Sequence, residues 1–203
     1  MKKASKLLCI LFGLALLASL AHADDLATFS GSISSSDPTQ QGRLSRNGIV
    51  ADWSSTEPFP GVINTGVTYW YHEYVVPVGV TPYIQVTIDS VSANTFLAAY
   101  LGSYDPTSSS TMEATYLGDE GASGNYFGVD PVSFQVYVPT GDDLVLVINN
   151  TGGSGAGLGD PYNIYVQGYL DTYFTSTPEP SSLLLLGTGA LGMVGLIRRK
   201  RLS

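Results

Sequence analysis

The chain has 203 residues, one cysteine and a net charge of -8. Seven of its nine basic residues lie near the two ends, so residues 24–177 carry two arginines against sixteen acidic side chains, a balance of -14. This negative field argues against binding to nucleic acid or anionic lipid and favours cations or neutral partners, although acidity that serves only solubility is the alternative.

Residues 1–23 have the pattern of a secretory signal peptide. Three lysines precede an apolar stretch over residues 7–20, and Ala21 and Ala23 supply the small-x-small cleavage site. A signal peptidase is therefore an expected partner. Because Cys9 leaves with the signal peptide, neither a disulfide nor cysteine chemistry is expected in the mature protein.

Residues 24–171 are predicted to form one all-β domain. Apolar and polar residues alternate in runs bounded by Gly, Pro, Asp or Asn, whereas residues 144–148 are continuously apolar, as in a strand covered on both faces. The predicted strands cover residues 27–33, 49–53, 67–76, 84–88, 95–101, 114–117, 132–138, 144–148 and 163–170. An antiparallel β-sandwich of jelly-roll type is expected, with a closed barrel as the alternative.

Several segments of this domain resemble the bacterial pre-peptidase C-terminal domain, a jelly-roll-like accessory module of exported enzymes and surface proteins. The segments are residues 28–33, 37–44, 46–48, 96–105, 116–119 and 134–139. The resemblance implies a noncatalytic binding or matrix role and names no catalytic residue. Several relatives carry cysteine pairs that this chain lacks, so their disulfides do not transfer.

Catalysis has little support in the sequence. A hydrolytic triad needs a base, and His72 is the one histidine after the signal segment. On a strand, Glu73 points to the opposite face and cannot orient His72 directly. We therefore expect no enzyme and assign no catalytic residue, and a secreted hydrolase is the alternative.

The aromatic run Tyr69, Trp70 and Tyr71 is the candidate glycan contact. Tyr69 and Tyr71 share one face of the predicted strand, where outward rings stack against sugars. Core packing of part of the run is the alternative. The corresponding partner is a glycan.

Acidic side chains in loops are candidate calcium ligands, since Ca²⁺ accepts about six to eight oxygen ligands in flexible geometry. The candidates are Asp119, Glu120, Asp142, Asp143 and Asp160. Ordinary turn chemistry explains these carboxylates equally well, and metals that need thiolate or imidazole ligands are excluded. No cofactor is therefore expected, with Ca²⁺ as the alternative.

The C-terminal end combines three features after a short linker over residues 172–177. A Pro178-Glu179-Pro180 triplet leads into an apolar helix predicted over residues 183–197. The basic tail that follows consists of Arg198, Arg199, Lys200 and Arg201. Fifteen residues form a short span, because a helix that crosses a bilayer usually needs ~20 apolar residues. The basic tail is expected on the cytoplasmic side.

In this order, the three features over residues 178–203 resemble the bacterial PEP-CTERM sorting signal. The resemblance implies an exosortase, a membrane transpeptidase that cuts near the triplet, and an association with extracellular polysaccharide and biofilm. An uncut single-pass anchor is the alternative, although an anchor has no physical use for the triplet.

Together these features predict an exported, noncatalytic protein of the cell surface or extracellular matrix. Its C-terminal helix is expected to hold it in the membrane, transiently or stably. A carbohydrate-dependent or calcium-dependent binding module is the alternative function.

Overall fold

A computed structural model describes residues 23–54, 57–124 and 131–170. These residues fall within one compact unit, His22–Thr172. Apart from Ala23, the predicted signal peptide lies outside the described residues, and so do the linker, the sorting triplet, the apolar helix and the basic tail. The predicted boundaries of these segments therefore stay predictions.

The described residues form two antiparallel sheets and one short helix. The elements are β1 (Asp24–Ser32), β2 (Thr39–Leu44), β3 (Val62–Pro77), β4 (Tyr83–Ser90), β5 (Thr95–Leu101), α1 (Ser109–Thr115), β6 (Tyr116–Asp119), β7 (Val132–Tyr137), β8 (Asp143–Asn150) and β9 (Pro161–Tyr169). The strand order is β1-β9-β4-β7 in one sheet and β2-β3-β8-β5-β6 in the other. The predicted all-β, jelly-roll-like sandwich is confirmed.

The main core lies between the two sheets. Alternate residues of β4, β7 and β9 point inward and meet alternate residues of β8, as the period-two pattern predicts. The central members of this core are Ile84, Val86, Ile88, Phe134, Val136, Leu144, Leu146, Ile148, Ile164 and Val166.

A second apolar cluster covers the outer face of the five-stranded sheet. Its buried members are Leu44, Phe96, Ala98, Tyr100, Met112, Tyr116, Val145 and Val147. Because β8 is covered on both sides, all of its apolar residues are buried, which is what the uninterrupted run over residues 144–148 predicts.

Two strand predictions in the N-terminal half need correction. The sequence does not predict β2, because polar side chains occupy its buried positions: Gln40 and Arg43 are 6% and 7% exposed. The strand predicted over residues 49–53 is reduced to a single bridging residue, Asp52. The backbone of Ala51 instead connects β6 to β7.

The helix α1 replaces the beginning of the strand predicted over residues 114–117. Its N-cap residue, Ser108, accepts a hydrogen bond from the backbone N–H of Thr111 at 3.2 Å. Met112 is the buried residue of the helix and joins the second cluster. Hydroxyl capping and this one apolar anchor favour a helical turn over an extended strand.

Candidate functional site

His72 on β3 has both ring nitrogens engaged. Its Nε2 lies 2.7 Å from Asp37 Oδ2, and its Nδ1 lies 2.5 Å from the hydroxyl oxygen of Tyr162. The hydroxyl groups of Tyr162 and Tyr74 are 2.8 Å apart, and the backbone N–H of Ser34 donates to Asp37 Oδ2 at 2.6 Å. This network joins the two sheets, because His72 and Tyr74 belong to one and Tyr162 to the other.

The sequence predicts correctly that Glu73 does not orient His72, since Glu73 is exposed on the opposite face of β3. The orienting carboxylate is Asp37, which lies between β1 and β2 and which the sequence gives no reason to select. Tyr162, 1% exposed, is equally unforeseen. Burial is the main cause that raises the pKa of Tyr162, and the hydrogen bond to Tyr74 raises it further, so the hydroxyl stays protonated.

The predicted glycan contacts do not form one exposed platform. Tyr69 and Tyr71 do share a face, but Tyr69 is 2% exposed and lies beneath Arg43, whose guanidinium carbon is 5.9 Å from the ring centroid. Trp70 faces the main core. Tyr71 packs edge-on against Tyr104 at 5.6 Å.

Tyr71, which belongs to the aromatic run, borders an open groove of about 380 Å³ along β3. The groove is lined by Pro38, Tyr71, His72, Glu73 and Tyr74. It is a place where a small partner can lie, but one half-buried ring is a weaker surface for stacking than the predicted pair.

The predicted calcium ligands are dispersed in the structure. Asp119 and Glu120 are buried at the end of β6, Asp142 and Asp143 are exposed at the start of β8, and Asp160 precedes β9. Across residues 23–54, 57–124 and 131–170, no group of three or more His, Asp or Glu side chains is arranged to hold a metal ion.

The carboxyl group of Asp119 is held by hydrogen bonds. The Tyr116 hydroxyl donates to Oδ2 and the Gly121 N–H donates to Oδ1, both at 2.7 Å, while the Asp119 N–H donates to Glu57 at 3.2 Å. Burial raises the pKa of Asp119 to about 7, and the nearby charge of Glu57 adds to the shift. These contacts tie β6 to the loop that carries Glu57.

Glu120 is also fully buried, and burial raises its pKa well above the ordinary value. Its Oε1 accepts a hydrogen bond from the Leu97 N–H at 2.9 Å, and its Oε2 has no hydrogen-bond partner among the residues that the structure describes. A neutral carboxyl group is favoured in such a place, because burial penalises the charged form. Asp119 and Glu120 therefore act as structural groups within the fold.

A third surface is the outer face of the four-stranded sheet, where three rows of side chains cross β9, β4 and β7. Register pairs Tyr83 with Tyr169 and Tyr137, Gln85 with Gln167 and Gln135, and Thr87 with Tyr165 and Ser133. We call these nine residues, together with Trp53, the tyrosine–glutamine face. No member is charged, and Tyr137 and Tyr165 are 52% and 42% exposed.

Trp53 lies against the tyrosine row. Its ring meets Tyr83 at 5.7 Å and Tyr169 at 5.5 Å, both edge-on, and its indole N–H donates to the Val136 carbonyl at 3.1 Å. A groove of about 460 Å³ beside Trp53 runs past the edge of β7. The sequence predicts that the polar residues of these strands point outward, but it does not predict which strands are neighbours.

The family model of the PEP-CTERM protein-sorting motif matches residues 176–201. The fold and this motif define an exported protein with a β-sandwich domain, sorted at the cell envelope. The chain carries a PEP-CTERM sorting motif, and the motif implies processing by an exosortase. Among the described residues, no helix is sufficiently long and apolar to span a membrane; the apolar helix predicted over residues 183–197 lies outside them.

The chain is similar to several solved structures at low sequence identity. The chain is 15% identical to the Aeromonas hydrophila periplasmic inhibitor of g-type lysozyme, PliG, with 74% of this chain and 89% of the other covered and a TM-score of 0.37. The C-terminal CBM6 of LamC from Zobellia galactanivorans is 13% identical, with 70% and 99% covered and a TM-score of 0.29. The CBM6 of Cellvibrio mixtus lichenase 5A, solved with cellotriose, is 9% identical, with 70% and 97% covered and a TM-score of 0.30.

No curated protein sequence matches the chain. At these identities and TM-scores, the solved structures carry no inference about ligand or activity. The resemblance of the domain to the pre-peptidase C-terminal module stays a prediction.

Proposed function

We propose that the protein is a noncatalytic component of the cell surface or extracellular matrix, which acts through contacts made by its β-sandwich. The observation that carries this proposal is the sorting motif over residues 176–201, because it delivers the domain to the cell envelope. Association with exopolysaccharide and biofilm is part of the proposal.

The geometry of the titratable groups supports a noncatalytic role. His72 lies between Asp37 and the Tyr162 hydroxyl, but Tyr162 is 1% exposed, so the hydroxyl that this histidine could activate does not face a substrate. A pair of catalytic carboxyl groups must reach a glycosidic bond, whereas Asp119 and Glu120 are 0% and 1% exposed. A hydrolase, the alternative, would show turnover that is lost when His72 is replaced.

The charge of the domain supports a neutral partner. Arg43 is buried and donates to the carbonyl of Leu44 at 2.8 Å, so it does not present its charge to a ligand. Arg46 is the one other basic residue between residues 24 and 177. With a balance of -14, the domain repels polyanions, and a neutral polysaccharide meets no such barrier.

The sorting step is tested by mass spectrometry of the protein recovered from its native host. We expect the protein in the envelope or matrix fraction, with a C-terminus close to Glu179. A variant with Pro178→Ala, Glu179→Ala and Pro180→Ala is expected to keep its basic tail, whereas the matched variant Ser181→Ala is expected to be processed normally. Surface protein with an intact Arg201 would indicate a simple anchor, and full-length protein in the cytosol would refute export.

A further inference from the structure

We propose that the tyrosine–glutamine face binds a neutral polysaccharide across β9, β4 and β7. This inference rests on the proposed function, since export brings the face into contact with extracellular polymers. It replaces the aromatic run over residues 69–71 as the candidate glycan site, because the buried ring of Tyr69 is not available there.

The first step is the layout of the exposed rings. Tyr137 on β7 and Tyr165 on β9 lie at opposite corners of the three rows, and Gln85 on β4 lies between them. Strand spacing and residue rise place the two corners on the order of 16 Å apart. A diagonal of this length fits several linked sugars better than one sugar.

The second step is the hydrogen-bonding chemistry. Gln135 Nε2 donates to Gln85 Oε1 at 3.1 Å, and the hydroxyl groups of Thr87 and Ser133 are 2.8 Å apart. This bond uses the Gln85 oxygen and one Gln135 N–H, so the Gln85 amide nitrogen and the Gln135 amide oxygen are not engaged in it. Amides and hydroxyls both donate and accept, as sugar hydroxyls do.

The third step is rigidity. Trp53 packs against Tyr83 and Tyr169 and uses its indole N–H within the protein. Tyr83 and Tyr137 meet edge-on at 5.4 Å, and Gln167 Nε2 donates to Asp25 at 3.0 Å. Rings and amides on paired strands lose little conformational freedom on binding, which favours affinity.

The absence of charge selects the class of ligand. The face contains no Lys or Arg, and Asp25 at its border is acidic. An anionic polysaccharide would therefore meet unfavourable charge without a compensating cation. A protein partner usually requires an apolar centre, whereas the middle row of this face consists of three glutamines.

The test is affinity gel electrophoresis of the protein purified from its host, with soluble neutral β-glucan, neutral xylan and anionic alginate as separate probes. We expect retention by a neutral probe and none by alginate. Tyr137→Ala and Tyr165→Ala should each weaken retention about tenfold, as expected when a stacking ring is lost. Gln85→Leu, which keeps volume but removes the amide, should also weaken it.

Three controls keep the outcomes distinct. Val75→Ala changes a side chain that is 52% exposed on the other sheet, and it should leave retention unchanged. Unfolding curves show whether each variant is folded. If Tyr71→Ala weakens retention and neither Tyr137→Ala nor Tyr165→Ala does, the glycan binds in the groove along β3, and the proposal is overturned.

Two further results would also overturn it. One is the absence of retention by both neutral probes while the protein is still processed and found in the envelope, a result that leaves the proposed function intact. The other is a Tyr137→Ala variant whose retention is unchanged but whose oligomeric state, measured by analytical ultracentrifugation, differs from that of the parent protein. That result would make the face a contact between two copies of the chain. Loss of the protein from the envelope would instead count against the proposed function.

Discussion

The outer faces of the two sheets differ in what lies on them. The five-stranded sheet presents apolar residues such as Val145 and Val147, and α1 and the aromatic residues of the second cluster cover them. The four-stranded sheet presents tyrosine, glutamine, threonine and serine, and Trp53 lies against its tyrosine row. A face that buries apolar area contributes stability, whereas a polar and aromatic face stays available to a partner.

The largest expected effect comes from opening the covered face. Tyr100 is 1% exposed and packs against Tyr104 at 4.8 Å. We expect Tyr100→Ala to lower the free energy of unfolding by about 3 to 5 kcal/mol, as for other buried aromatic residues. The matched change Tyr137→Ala, at a 52% exposed position of the tyrosine–glutamine face, should cost less than about 1 kcal/mol. Urea unfolding followed by Trp fluorescence measures both, and equal costs would contradict the difference between the faces.

The second effect concerns pH, because the pKa of Asp119 is raised from 3.8 to about 7 in the folded protein. The folded state binds this proton more tightly than the unfolded state does. The free energy of unfolding should therefore be highest near the lower of these two pKa values. It should fall as the pH rises from there to about 7, by up to about 1.4 kcal/mol per pH unit. Glu120, whose pKa is also raised, contributes in the same direction.

The matched variant is Asp119→Asn, which keeps an acceptor for the Gly121 N–H but does not titrate. It should flatten this part of the stability profile, and the remaining slope should come from Glu120. Thermal unfolding at closely spaced pH values provides the measurement. Stability of the parent protein that rises with pH across the window would show that Asp119 is not buried as described.

The third effect concerns the connection between the two sheets. His72→Phe keeps a ring but removes both nitrogens, which leaves the buried Tyr162 hydroxyl and Asp37 without this partner. We expect a loss of about 1 to 3 kcal/mol, the usual cost of an unsatisfied buried polar group. Glu73→Gln, on the exposed side of β3, should change stability by less than about 0.5 kcal/mol. A neutral result for His72→Phe in chemical unfolding would argue against the network.

The smallest effect concerns the helix that covers part of the five-stranded sheet. Ser108→Ala removes the hydroxyl that caps α1 and should cost about 1 kcal/mol. Ser109→Ala, within the same exposed first turn, is the matched control and should be close to neutral. Both are measured by chemical unfolding, and equal effects of the two changes would show that the Ser108 cap contributes nothing specific.

Local patterns explain which predictions succeed. The alternation over residues 84–88 and 132–138 follows from the two-residue period of a strand, so it identifies β4 and β7 and their inward faces without any tertiary information. The same logic fails for β2, where pairing with β3 and close packing bury Gln40 and Arg43 despite their polarity. A polar residue that is buried by its partners has no signal in a hydrophobic pattern.

The amino-acid sequence alone determined the targeting and the fold class, because a sorting motif and a two-residue apolar period are both local properties of the chain. Tertiary structure decided which side chains meet. Asp37, His72 and Tyr162 come together only after β3 and β9 have entered different sheets, and Tyr137, Tyr83 and Tyr169 form a row only because β4 lies between β7 and β9. Strand order depends on pairing between distant segments, and no local pattern encodes it.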